Sequence, residues 1–379
     1  MKTLTPDVCD SFSCIDSKCP DTCCAGWNIY VDDNSVAYYT SVNEPIGDEL
    51  RQNIITNHTP ASFRLTPEGR CPFLNENNLC RLYITLGPDK LCGTCTMFPR
   101  LHLQNHDLML SCTSLACPES ARLYLTQTSP LRITAHDEPQ FSNATFSSSS
   151  AYILTVIQTA TALIQDRSLT LKSRLILTIL YYYNRHASFV SGKNLSAAQA
   201  MFSSPALYQQ LLDEQPHSEY DLILRLRLFR SVAEILKLGQ NETLLTNIYK
   251  DFNQSYVESD RDIFIHSLNA AFSSYEIRSY DIEKENLLVY IFLRYTIHPV
   301  IEDDITSALA LGISFYITYL CFVAFASLHN QKLISFEHRL TILSRLARFF
   351  EHNSQNTSLI YRKMKEDGMT DPQALLNLL

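Results

Sequence analysis

The chain has 379 residues, of which 46% are hydrophobic and 18% charged, and its formal net charge is −8. This is a globular composition with room for two domains, or three small ones. The acidic balance argues against non-specific nucleic-acid binding, which asks for a basic excess, and nine glycines are too few for glycine-rich ligand loops or a turn-dense β architecture.

The first residues, MKTLTPDVCD, carry one lysine with no apolar run behind it. No secretory signal is read there, so the expected compartment is cytoplasmic, where thiols stay reduced. Twelve cysteines in that compartment call for a metal or redox explanation rather than a disulfide framework. Eleven of them lie between Cys9 and Cys117, and this N-terminal third also holds Trp27, the single tryptophan, and eight of the fifteen prolines, the first of them Pro6. Proline and cysteine at this density predict an irregular region of short strands and helices, stabilised in part by a metal centre.

The cysteines fall into groups. The first is Cys14-X4-Cys19-X3-Cys23-Cys24. Then come Cys71-Pro72 with Cys80, Cys92-X2-Cys95, and Cys112-X4-Cys117-Pro118. Thiolates in this number suit zinc or an iron–sulfur cluster, which spacing alone does not separate. Cys-Pro at Cys19, Cys71 and Cys117 leans towards iron–sulfur, as in the bacterial ferredoxin run. Only His58, His102 and His106 lie near, and not at the spacing of a Cys2His2 finger. A bare reading leaves open a metal that only pins a loop-rich fold. Cys9 reads as incidental and Cys321, within an apolar stretch, as a buried hydrophobe.

Beyond Cys117 the texture becomes helical. A short helix is expected over Ser120–Leu125, then a serine-rich linker ending in Phe146–Ser150. Helices are expected over Ala160–Tyr183, Leu222–Gly239 (with Gly239 as the stop), Glu242–Phe252, Glu283–His298, Ser335–Phe350 (with Ser335 as N-cap) and Thr357–Lys365. Thr306–Leu328 has 23 uncharged residues, long enough to cross a bilayer. Its Ser, Thr and Gly content and the lack of a basic flank favour a buried central helix, so no membrane span is expected. The expected fold class is mainly α: a cysteine-rich, loop-rich metal-binding module over residues 1–130, followed by an all-α helical domain over residues 151–379.

At these motifs the sequence resembles the flagellin lysine-N-methylase family, and more broadly a superfamily of small cysteine-rich zinc- or iron-chelating domains. The resemblance is carried by Cys14-X4-Cys19-X3-Cys23-Cys24-Ala25-Gly26-Trp27, Cys71-Pro72-Phe73-Leu74, Leu79-Cys80-Arg81, Thr94-Cys95, Phe98-Pro99-Arg100, Cys117-Pro118-Glu119-Ser120-Ala121-Arg122-Leu123 and Glu285-Asn286-Leu287-Leu288-Val289-Tyr290. It implies a cytoplasmic protein lysine methyltransferase that acts on surface lysines of flagellin before export. The implied methyl donor is S-adenosylmethionine, and a [4Fe-4S] cluster is implied in the cysteine-rich part, with zinc as the alternative metal. The metal residues singled out are Cys14, Cys19, Cys23, Cys24, Cys71, Cys80, Cys95 and Cys117. One departure is an insertion between Ser111 and Cys117, which makes Cys112 an alternative to Cys117; Cys117 is favoured because it keeps Pro118 and Glu119.

The residues themselves show neither a nucleotide-binding glycine turn nor the three-cysteine spacing of radical enzymes. Methylation of an amine needs it neutral and aligned, with a path for its proton. Asp32, Asp33 and Glu119 are candidates by proximity to the cysteines, against a plainer reading as turn or surface carboxylates. The rival readings are a non-catalytic zinc- or iron-chelating binding module and a redox sensor.

Overall fold

The computed structural model describes residues 1–43, 45–137, 147–192, 200, 202, 204–213, 221–238, 243–297 and 304–379. In order, the first part of the chain forms β1 (Lys2–Pro6), β2 (Tyr30–Val31), α1 (Asp33–Ser41), α2 (Pro45–Asn53), β3 (Ile54–Ile55), β4 (Ala61–Phe63), α3 (Arg81–Leu86) and α4 (Gly93–Met97). Then come β5 (Arg100–Asn105), β6 (Leu108–Thr113), α5 (Pro118–Thr126) and β7 (Ile133–Asp137). The remainder is helical: α6 (Ser148–Ile164), α7 (Leu171–Val190), α8 (Pro205–Asp213), α9 (Leu222–Ile235), α10 (Thr243–Glu258), α11 (Arg261–Glu276), α12 (Asp281–Thr296), α13 (Ile305–Asn330), α14 (Phe336–Glu351), α15 (Ser354–Glu366) and α16 (Pro372–Asn377). The chain is thus mainly α.

Short polar residues set most helix starts by accepting the backbone N–H groups that a first turn leaves free. Ser147, Thr170, Asp221, Asp260, Asp304, Ser335, Asn353 and Asp371 all cap in this way. The same chemistry corrects two expectations. Ser147–Ser150 is not a linker: Ser147 accepts from Ser150 N at 3.1 Å and opens α6, while Phe146 lies outside the described residues. Nor is Ala160–Tyr183 one helix. Asp166 accepts from Ser168 N at 3.1 Å and Thr170 caps α7, so three short polar side chains divert the backbone between Ile164 and Leu171. The helix expected from Leu222 ends at Ile235, before Lys237 at φ 49°; Gly239, Glu242 and His298 lie outside the described residues. The sequence reading passed over α11 altogether.

Helix α13 organises the helical region. Every residue of its apolar window is buried, and α7, α9, α10, α11, α12, α14 and α15 all pack on it. With apolar neighbours on every side it carries no amphipathic stripe, which is why composition alone confuses it with a membrane span. Burial of each large aliphatic or aromatic side chain there contributes about 1.5–3 kcal/mol. Close approach of α12 requires Gly312, since a Cβ at that position would meet Ile291 Cγ2 at 2.6 Å.

The core around α13 extends into the first part of the chain. Leu4, Leu108, Leu110, Leu115 and Tyr124 belong to it. They come from α5, from the turn before it (Leu115) and from a sheet of order β5-β6-β1-β7, in which β1 and β6 are parallel and the other pairs antiparallel. A second, smaller core gathers Val31, Tyr39, Leu50, Phe63, Phe73, Leu82, Cys71 and Cys92 under the sheet β2-β4-β3. Cys24, Cys80 and Cys95 pack against this second core, which makes five cysteines in and around it.

Candidate metal centre

The cysteine loops are stitched together through their backbones. Gly26, at φ 82°, makes a turn that L side chains rarely adopt. Its N–H donates to Gly69 O at 2.9 Å, and Cys71 N donates to Cys24 O at 2.7 Å. A further bridge joins Leu74 to Cys80, and Arg81 N donates to Phe73 O at 2.8 Å. These bonds bring Cys24, Cys71 and Cys80 together from segments far apart in sequence. Cys80 is the N-cap of α3 and its Sγ accepts from Tyr83 N at 3.5 Å. Cys92 and Cys117 hold the N-cap positions of α4 and α5, with Pro118 in the first turn of α5.

Nine cysteines lie within electrostatic reach of one another: Cys23 faces Cys14, Cys19, Cys24, Cys71, Cys80 and Cys117, and Cys92 and Cys95 join through Cys71. Burial pushes the thiols of Cys71 and Cys117 up to about 12. Cys23 and Cys24 share a sulfur–sulfur hydrogen bond of 3.9 Å, which lowers the pKa of Cys23 and raises that of Cys24; the Arg348 guanidinium lowers Cys23 further. Metal ligation is the ordinary compensation for thiols crowded and buried in this way, because a cation supplies the missing positive charge.

Among the described residues, no three of His, Cys, Asp and Glu stand close enough to hold a single metal ion. Tetrahedral zinc, with Zn–S of about 2.3 Å, requires sulfurs about 3.8 Å from one another. Cys23 and Cys24 meet that spacing, but as a pair only. A carboxylate also stands beside the first group of thiols: Asp16 Oδ1 accepts from Cys14 Sγ at 3.6 Å.

The remaining cysteines have other roles. Cys112 is wholly buried, with Cys9, Arg294 and Glu351 as its charged neighbours, whereas Cys117 neighbours Cys19 and Cys23. Cys9 contacts Tyr124 Oη at 3.3 Å. Cys321 is buried in α13.

Helix α14 clamps the first cysteine loop to the helical region. Arg348 donates to Ala116 O and Ala25 O, each at 3.3 Å, and pairs with Asp21 at 3.0 Å; Arg345 reaches Asp21 at 3.4 Å. One turn on, Glu351 accepts from Ser114 Oγ at 2.6 Å and from Tyr290 Oη at 2.8 Å, and lies 3.6 Å from Arg294. His352 Nε2 is 3.0 Å from Ser114 Oγ, and its ring packs edge-on against Trp27 at 4.3 Å. Burial, with Arg294 and Arg348 beside it, lowers the pKa of His352 to about 3, so the imidazole stays neutral. The sequence reading missed this network. Its one legible trace was Tyr290 in the Glu285–Tyr290 motif, whose Glu285 is buried and binds both Arg167 and Arg174 at 2.8 and 2.7 Å.

Two of the suggested proton acceptors are engaged elsewhere. Asp32 caps α1 and accepts from Gly93 N at 2.9 Å, hydrogen bonds that hold its carboxyl below the usual range. Glu119 forms a two-pronged pair with Arg122 at 2.6 and 2.7 Å. Asp33 is exposed in the first turn of α1.

Residues 158–378 match the family model of the FliB lysine N-methylase C-terminal domain. Three relatives match over 128 residues, 31% of this chain. The "Flagellar biosynthetic protein FliU" of Salmonella muenchen is 38% identical over 76% of its own length. The "Lysine-N-methylase" of Salmonella typhimurium is 36% identical over 32% of its own length, so the match spans about a third of that relative. No solved structure matches the chain. With the family model covering more than half of its residues, the chain belongs to the FliB lysine N-methylase family.

Proposed function

We propose that the chain is a protein lysine N-methyltransferase that acts in the cytoplasm on surface lysines of flagellin, with S-adenosylmethionine as donor and a [4Fe-4S] cluster held by its cysteines. The observation that carries this reading is the family match over residues 158–378, joined to a cysteine region whose thiols converge without single-ion geometry. The donor supplies an electrophilic methyl on a sulfonium; the lysine nitrogen gains it, S-adenosylhomocysteine leaves, and the amine proton passes to solvent or a carboxylate. The protein's part is to align a neutral amine and exclude competing water. Its net charge of −8 favours encounter with cationic lysines.

A cavity of about 390 Å³ in the family-matched region suits a donor of this size. Arg225 and Glu276, which pair at 3.2 Å, line it together with Lys284 and Asp281, which also pair at 3.2 Å, and Tyr316 offers an aromatic wall. The cavity opens beside the start of α12, whereas Tyr290 and Arg294 near its end hold the junction with the cysteine loops.

The test is incubation of the anaerobically purified chain with flagellin and S-adenosylmethionine, read by intact-protein and peptide mass spectrometry. The expected result is a gain of methyl masses on flagellin lysines that requires the donor. Intact metal content without methyl transfer would favour a non-catalytic metal-binding module instead.

A further inference from the structure

Among the described residues, two lysines line the cavity of about 390 Å³, and they stand in opposite surroundings. Lys172, in the first turn of α7, is exposed to water. Lys284, in the first turn of α12, has only 3% of its side chain exposed. An ammonium buried to this degree loses its hydration, so it must find a partner or give up its proton. The partner is on the same helix: Lys284 Nζ lies 3.2 Å from Asp281 Oδ1, three residues earlier, and 5.6 Å over the Tyr275 ring. The other carboxylates of that helix start are engaged elsewhere, Glu283 by Arg339 and Glu285 by Arg167 and Arg174. Burial lowers the pKa of Lys284, with Asp281 acting against it.

An amine accepts a methyl group when it can become neutral, is shielded from water, has an acceptor for its proton and lies within reach of the donor. Burial and the Asp281 carboxylate give Lys284 the first three. The fourth follows from its place in the wall of the cavity that is proposed above to take the donor. We infer that Lys284 is itself a methylation site of this chain, modified from the cavity that it lines. The inference rests on that reading of the cavity. In the step, Asp281 takes one proton from the Lys284 ammonium. The freed lone pair on Nζ forms a nitrogen–carbon bond with the sulfonium methyl, the carbon–sulfur bond breaks, and its electron pair stays on sulfur as a neutral thioether. The methylated nitrogen is again positively charged, and Asp281 passes its proton to water. Because methylation keeps the charge, the ion pair with Asp281 survives it. The exposed Lys172, in the same cavity, is the internal control.

The experiment uses the full chain and S-adenosylmethionine with a deuterated methyl, in parallel incubations without and with flagellin, read by peptide mass spectrometry. In a further pair of samples the lysines are acylated with acetic anhydride in the absence and presence of S-adenosylhomocysteine, and the extent at each lysine is read in the same way. Expected are deuterated methyl at Lys284 and none at Lys172 without flagellin, and loss of Lys284 acylation when S-adenosylhomocysteine is present. Lys284→Arg, which keeps a cation beside Asp281, should abolish the gain. Labelled flagellin with no label at Lys284 would overturn the inference and leave the methyltransferase reading standing. Protection of Lys284 by S-adenosylhomocysteine without any label there would overturn the modification while supporting the cavity as the donor's. No label on either protein, with acylation of Lys284 unchanged, would sink both. The label is mapped on the unmodified chain, so the result holds even if the variant fails to fold.

Discussion

Helix α13 runs for 26 residues with its apolar window wholly buried, whereas β2 and β3 have two residues each and α4 has five. The helical region holds itself together by burial and by internal ion pairs such as Glu285 with Arg174 and Glu283 with Arg339. The small core counts Cys71 and Cys92 among its buried members, with Cys24, Cys80 and Cys95 packed against it. One region thus draws its stability from hydrocarbon and the other has sulfur where hydrocarbon would be, which ties its order to the state of the thiols.

The most severe way to break this comparison is to remove the metal that the proposed function assigns to the thiols. If they hold one, its chelation or oxidation should unfold residues 29–97 selectively, at a cost on the order of 10 kcal/mol to that region. Hydrogen exchange should show loss of protection in α1 to α4 and retention in α12 and α13; unchanged protection in α1 to α4 would show the small core to be self-sufficient. The converse perturbation is Glu285→Leu, which strands the buried Arg174 guanidinium and should cost about 3–5 kcal/mol. A fall in thermal midpoint with full metal content is expected, and metal loss in that variant would mean that the two regions are not energetically separate.

Acidification probes the junction between them. The pKa of His352 lies at about 3 in the folded chain, below the unfolded value of about 6.5. Because the folded value is the depressed one, the neutral imidazole's contribution is complete above about pH 6.5 and drains away as pH falls towards 3. A loss of roughly 2–3 kcal/mol is expected across that window, allowing for the partial exposure of the ring. The fluorescence of Trp27, packed edge-on against His352, reports it directly, and His352→Phe should flatten the response. An unchanged pH profile in that variant would move the titration to another group. The smallest effect expected is that of Asp32→Ala, which removes a cap from α1 and the tie to Gly93, about 1–2 kcal/mol. Urea denaturation followed within the small core measures it, and an effect below about 0.5 kcal/mol would show that this tie does not hold α4 in place.

What the sequence settled by itself was local chemistry. Ser335 as a cap, the buried helix around Cys321, the short helix after Pro118 and the crowding of thiols before Cys117 all follow from residue type and spacing. The split of Ala160–Tyr183 was also written there, in Asp166, Ser168 and Thr170, but apolar periodicity masked it. Tertiary structure alone decided the rest. Which cysteines share a neighbourhood depends on hydrogen bonds between residues far apart, such as Cys24 with Cys71. The clamp of Arg348, Glu351 and His352 is invisible to any local pattern, because on the helix those residues read as an ordinary polar flank. Charge becomes informative only when burial removes water from around it, and burial is a property of the assembled fold.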